Sequence, residues 1–190
     1  AFALLYGLTA KIGLNYSTLT SNVTLIWPPT GLSLFVFLRY GYRYWPGIVA
    51  GDLIANWTTG ASLPAILGIA SGNILETLLC AWLLQKVLGF HDRLDRVRDV
   101  LYLLGLGTAC AAVSALIGPA SLALDGRIAW SLYPSVWLQW LMGDATGALV
   151  VTPLLLAWSG RAGLQIPKGQ RFEVCVLFLL VLAANEAVFG

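Results

Sequence analysis

With 58% hydrophobic residues and only 11% charged, this chain of 190 residues is too apolar for an ordinary soluble domain, in which about a quarter of the residues are charged. Eleven Lys and Arg against nine Asp and Glu leave a net charge of +2, with no basic field of the kind nucleic acid requires. The composition predicts an all-α, polytopic transmembrane helix bundle, because a helix satisfies its own backbone hydrogen bonds inside lipid.

Seven apolar segments follow one another, at 1–17, 24–40, 44–57, 63–88, 98–119, 130–158 and 172–190, where a span needs roughly 20 residues. The first carries Lys11 and Asn15 at i,i+4. The second opens on Trp27-Pro28-Pro29-Thr30-Gly31, in which Pro is tolerated in the first helical turn. That run reads either as a helix start with an interfacial Trp or as a stiff aromatic wall for a pocket. Arg39 and Arg43, among Tyr40, Tyr42, Tyr44 and Trp45, read as an interfacial anchor. The short third segment holds Asp52 and Asn56 at i,i+4, and the fourth holds Asn73 and Glu76 at i,i+3.

The sixth segment is too long for one straight helix and contains Pro134, Gly143, Gly147 and Pro153. It predicts a break near Gly143, or an interfacial first part rich in Trp. Trp137, Trp140 and Asp144 share one of its faces. Asn185 and Glu186 fall late in the seventh segment, towards its outer end, and no lysine occurs there to form a retinal Schiff base.

The loops alternate in charge. Those at 17–24 and 57–63 have none, and that at 119–130 has only Asp125 and Arg127. Arg39 and Arg43, then Lys86, Arg93, Arg96 and Arg98, then Arg161, Lys168 and Arg171 mark the opposite side. The positive-inside rule places the basic set, and the N-terminus, in the cytoplasm. Seven spans leave residue 190 outside, so a cytoplasmic module would require at least one more. The reading is therefore of a single integral-membrane domain, 1–190, truncated before its last span.

Asp52, Glu76, Asp144, Glu186 and Lys11 stand inside these apolar segments, where each costs about 2.5–3.5 kcal/mol at a helix centre. Helical spacing turns them into shared polar faces, and most gather between the midplane and the outer side. Trp27, Asp52, Asn56, Asn73, Glu76, Trp140 and Asp144 are the expected ligand-binding residues, with Lys11 as their counter-ion. Three central carboxylates against one lysine leave room for a proton, a cation or an amine-bearing ligand; the competing reading is a structural network of amides and ion pairs.

Cys80, Cys110 and Cys175 lack metal-binding or redox spacing and read as small apolar residues. The sequons at Asn15, Asn22 and Asn56 are of the kind that arises by chance. No G-x-S-x-G, H-E-x-x-H or glycine-rich phosphate loop occurs, and the one histidine, His91, sits in a loop. Neither catalysis nor a cofactor or metal is expected.

An ordered set of motifs completes the reading: Trp27-Pro-Pro-Thr-Gly31, Arg43-Tyr-Trp-Pro-Gly47, Gly51-Asp-Leu-Ile-Ala-Asn56, Gly72-Asn-Ile-Leu-Glu76, Leu94-Asp-Arg-Val-Arg-Asp-Val100, and Trp140-Leu-Met-Gly-Asp-Ala-Thr-Gly147 ending in Val151-Thr-Pro153. Over residues 1–160 their order and spacing resemble the bacterial membrane-associated sensor domain of the first type, the MASE family. The resemblance implies about eight spans in the complete domain. It also implies a role as the input module of a histidine kinase or cyclic-di-GMP enzyme, whose output domain follows in the cytoplasm. The expected partners are the bilayer, that output domain, a small ligand or cation, and a second copy in a homodimer. The alternatives are a cation- or proton-coupled transporter or channel, with the acids as a relay, and a scaffold whose buried charges are purely structural.

Overall fold

The computed structural model describes residues 1–15, 25–159 and 176, and among them the chain is helical, with no strand. Residues Ala1–Ala157 form one compact unit. Of a second unit, Trp158–Gly190, only Trp158, Ser159 and Val176 are described. Glu186, Asn185, Cys175, Asn22 and the basic loop of Arg161, Lys168 and Arg171 lie outside the described residues.

The helices are α1 (Phe2–Asn15), α2 (Pro28–Tyr40), α3 (Pro46–Asn56), α4 (Leu63–Trp82, continued by a π turn over Leu83–Val87), α5 (Val97–Leu124), α6 (Tyr133–Thr146) and α7 (Thr152–Ser159). A second π turn, Gly147–Val151, joins α6 to α7. The first six apolar segments thus become helical runs. Three of them, Leu63–Val87, Val97–Leu124 and Trp130–Ser159, are long and apolar enough to cross a membrane. The helices α2 and α3 have 13 and 11 residues, or only ~20 and ~17 Å at about 1.5 Å per residue, short of a ~30 Å hydrocarbon core. Pro at the start of each pre-sets its first turn. Gly41, at φ 94°, ends α2, and its N–H reaches back to the Phe37 carbonyl at 3.1 Å.

Two expectations change. The helix α5 runs on to Leu124 with Pro119 inside it, so the loop after it is shorter than the apolar pattern suggests. A proline has no N–H to offer the preceding turn, yet both Gly118 and Pro119 are buried against the bundle, which holds the helix together there. In addition, α6 passes through Gly143 without a break. The irregularity comes at Gly147–Val151 and is a π turn rather than an interruption.

Small residues let these helices approach closely, as suits packing where lipid gives helices no hydrophobic reason to associate. On α3, Gly47 lies against the ring of Phe2 and Gly51 against the ring of Tyr6, while Gly7 of α1 lies against Ile54. These pairs advance together along both helices, so α1 and α3 run parallel. Between α4 and α5, Gly68 meets Ser121 and Gly72 meets Ile117 and Ser114; here the numbers run oppositely, and the helices are antiparallel. The tightest approach is backbone on backbone. Gly31 of α2 abuts the Gly147 carbonyl, and Gly147 abuts the Trp27 carbonyl. The Trp27 N–H donates to the Gly143 carbonyl at 3.0 Å, and Thr152 Oγ1 donates to the Gly31 carbonyl at 3.1 Å.

At the opposite end of α5, Asp125 Oδ2 accepts the Ser62 N–H at 3.0 Å and lies 3.5 Å from Arg127 Nε. Ser62 itself caps α4. The hydrogen bonds from Ser62, with help from Arg127, hold the Asp125 carboxyl below the usual carboxylate range.

Two outcomes follow from these contacts. Gly31→Ala and Gly147→Ala place a methyl group into backbone and should each cost about 3 kcal/mol or more. Gly105→Ala, which meets nothing within 4 Å, should stay within about 0.5 kcal/mol; thermal unfolding in mild detergent compares them. Because folding lowers the Asp125 value, its stabilisation is complete above the unfolded value of about 3.9 and disappears as pH falls below it. The melting-temperature advantage of the wild type over Asp125→Asn should therefore be present at neutral pH and close below about pH 4.

Candidate functional site

The polar residues of the apolar helices converge on two adjoining centres. The first is built on Asp52 of α3, which is fully buried. Its Oδ1 accepts the Tyr6 hydroxyl at 3.2 Å, and the Asn73 amide donates to Oδ1 and Oδ2 at 3.2 and 3.0 Å. The same Asn73 Nδ2 lies 3.1 Å from the Tyr6 hydroxyl. On its other side, Asn73 Oδ1 accepts Ser114 Oγ at 2.8 Å, and Ser114 Oγ accepts the Trp140 indole N–H at 3.0 Å. One chain of hydrogen bonds thus ties α1, α3, α4, α5 and α6 together.

The second centre is the acid pair Glu76 and Asp144, both buried and near enough to interact directly. Thr30 Oγ1 donates to Asp144 Oδ1 at 2.8 Å. Asp144 Oδ2 and Glu76 Oε2 have no hydrogen-bond partner. Next to Thr30, Ser33 Oγ bonds the Thr30 carbonyl at 2.9 Å and Thr77 Oγ1 at 3.1 Å, and Thr77 donates to the Asn73 carbonyl at 2.8 Å. These links join α2 to α4 and the second centre to the first.

The two centres differ chemically. Both oxygens of Asp52 accept donors, so its role is that of a satisfied structural node. The oxygens left open on Glu76 and Asp144 are buried acceptors with nothing to accept, a costly condition unless a proton or a ligand supplies the donor. The Trp27 indole N–H is likewise buried and unpartnered.

Of the residues expected from sequence, Asp52, Asn73, Glu76, Trp140 and Asp144 belong to this network. Trp27 contributes its backbone to the α2–α6 contact and packs with Ala10, Ala55 and Leu14. Asn56 is buried, but its amide turns back to the Asp52 carbonyl of its own helix at 3.0 Å. Lys11 is not brought to the acids: its Nζ donates to Thr58 Oγ1 at 2.9 Å on the exposed side, and among the described residues no ion pair includes it. Its flexible stem carries the ammonium group towards the end of α3 and a more polar surrounding. Tyr6, Thr30, Ser33, Thr77 and Ser114 are members that sequence reasoning missed. Thr30 lay within a motif already noted, whereas the others are ordinary in an apolar helix. Among the described residues, no group of three or more His, Cys, Asp or Glu could hold a metal ion.

The described residues thus form a bundle of apolar helices around a buried polar centre. Residues 1–188 match MASE1, and the chain belongs to that family. It is a sensor domain and not an enzyme in itself. It is 27% identical over 150 residues to the probable diguanylate cyclase DgcE of Escherichia coli (strain K12), an alignment covering 74% of this chain and 13% of that protein. No solved structure matches it.

The hydrogen bonds rank the members of the first centre. Asn73→Leu strips Asp52 Oδ2 of its donor and the Ser114 hydroxyl of its acceptor and should cost about 2–4 kcal/mol, whereas Tyr6→Phe removes one donor to a carboxylate and should cost about 1–2 kcal/mol. Reversible unfolding in mixed micelles, with both variants measured against wild type, checks the order.

Proposed function

We propose that this chain is the integral-membrane input module of a bacterial signalling protein, and that the Glu76–Asp144 pair receives its signal. The observation that carries this reading is a pair of interacting buried acids that each keep one carboxyl oxygen without a donor, Glu76 Oε2 and Asp144 Oδ2. Two such oxygens suit a shared proton or the ammonium group of a small cation. Family membership supports the sensory role. The name of the Escherichia coli relative supports a cyclic-di-GMP enzyme as the output, with a histidine kinase as the other class that such modules serve.

In this reading the first six helical runs and the segment at 172–190 are seven spans of a domain with eight, in the inner membrane. The basic loops and the N-terminus face the cytoplasm, and the output domain follows there, acting as a homodimer. Trp27, Asn73 and Trp140 line or support the acid pair, Asp52 fixes the helices around it, and Asn56 holds the end of α3.

A ligand moves such an equilibrium only by binding one packing of the helices better than another. Asp144 sits three residues before the π turn at Gly147–Val151, a kind of irregularity frequent at functional sites. A donor arriving at the open Asp144 Oδ2 draws on the same carboxyl group whose Oδ1 holds the Thr30 hydroxyl, and so changes the hold of α2 on α6. The last span then carries that change to the output domain.

The experiment is a set of charge-neutral replacements in the full-length protein, with output activity and membrane-protein stability measured together. Glu76→Gln and Asp144→Asn should shift output by at least about fivefold, the lower end of ordinary coupling between sites. Asp52→Asn should act chiefly on stability. Unchanged output and stability in all three variants would sink the proposal. Saturable cation flux in proteoliposomes, abolished by Asp144→Asn, would instead make the pair a transport relay.

A further inference from the structure

We propose that Cys80 and Cys110 are a peroxide-sensitive pair that closes to a reversible disulfide between α4 and α5. The argument begins from register. Gly72 of α4 lies against Ile117 of α5, and Gly68 against Ser121. About two turns onward from Gly72 and two turns back from Ile117 stand Cys80 and Cys110, facing each other across the antiparallel interface. They share one core cluster, at 2% and 3% exposure, and their side chains interact directly. Ala81 and Ala111 beside them are fully buried and small, which favours the close approach a disulfide requires, about 4.4–6.8 Å between Cα atoms. Both cysteines are free thiols.

Burial selects the oxidant. Side chains so enclosed admit a small neutral molecule such as hydrogen peroxide in preference to a bulky disulfide or a protein thiol. One sulfur attacks a peroxide oxygen: an S–O bond forms, the O–O bond breaks, and water leaves. The second sulfur then attacks the resulting sulfenic acid: the S–S bond forms, the S–O bond breaks, and a second water departs with the remaining proton. Two thiols are oxidised by two electrons and one peroxide is reduced to two waters. The thiolate is the attacking form, and its proton leaves with the first water.

The position gives the bond a structural effect. Cys80 follows Glu76 by one turn, and Cys110 precedes Ser114 by one turn, so the link would fix α4 against α5 directly beside both polar centres. None of the contacts assigned to the acid pair depends on these thiols.

The test treats membranes containing the full-length protein with graded hydrogen peroxide, blocks free thiols with N-ethylmaleimide, denatures, and digests with trypsin. Lys86, Arg93, Arg96 and Arg98 lie between the two cysteines, so the linked product appears as two peptides joined only by sulfur in unreduced mass spectra. The expected result is a Cys80–Cys110 peptide pair that becomes the major form, is lost on adding dithiothreitol, persists in Cys175→Ser and is absent from Cys80→Ser and Cys110→Ser. Full alkylation of both thiols after peroxide overturns the proposal. So does a link from either one to Cys175, or a link formed with copper–phenanthroline but not with peroxide. Should the serine variants fail to accumulate, the wild-type peptide map decides alone.

Discussion

Asn73 is the residue on which the rest of the polar interior depends. Its amide nitrogen serves the Asp52 carboxyl and the Tyr6 hydroxyl, its amide oxygen serves Ser114, and its backbone carbonyl serves Thr77. An amide donates through its nitrogen and accepts through its oxygen, two atoms held apart in one plane. Placed in the middle of α4, it lets a carboxyl group on α3 and an indole on α6 belong to one chain of hydrogen bonds although they never touch. Buried networks of this kind are secure only when every member is satisfied. Here the first centre meets that condition and the second does not, and the contrast separates a structural node from a receptive one.

The bundle surrounding that node is built from close contacts rather than bulk. Glycines on α3, α4 and the π turn bring backbones and aromatic rings together where lipid offers no hydrophobic reason to associate. The outward surface stays apolar, with Leu4, Leu5, Leu8 and Ile12 exposed along α1 and Leu101, Leu104 and Leu116 along α5. A molecule so arranged is inverted relative to a soluble domain: its polar residues meet inside, and its large aliphatic residues meet the solvent, which is lipid.

The helical runs were legible in the sequence because hydropathy reports them directly, and the acids were legible because charged residues are few in those runs. Their partners were not. Tyr6, Thr30 and Ser114 carry hydroxyl groups that a membrane helix tolerates anywhere, so only three-dimensional proximity reveals that they bond Asp52, Asp144 and Asn73. Lys11 misled for a physical reason: its charge is opposite to that of the acids, but a long flexible side chain follows hydration before it follows pairing. The continuity of α6 through Gly143 was hidden as well. Glycine spacing marks where a helix can deform, and the surroundings decide whether it does.

The π turn at Gly147–Val151 has a geometric result. In an uninterrupted α-helix, Asp144 and Thr152, eight residues apart, would point ~80° away from each other, at about 100° per residue. A π turn absorbs one surplus residue, which narrows the difference to ~20° on the same helical arithmetic. Both side chains then reach α2, Asp144 at the Thr30 hydroxyl and Thr152 at the Gly31 carbonyl. One inserted residue thereby acts as a phase corrector, letting two consecutive helical pieces present a single gripping edge to the same neighbour.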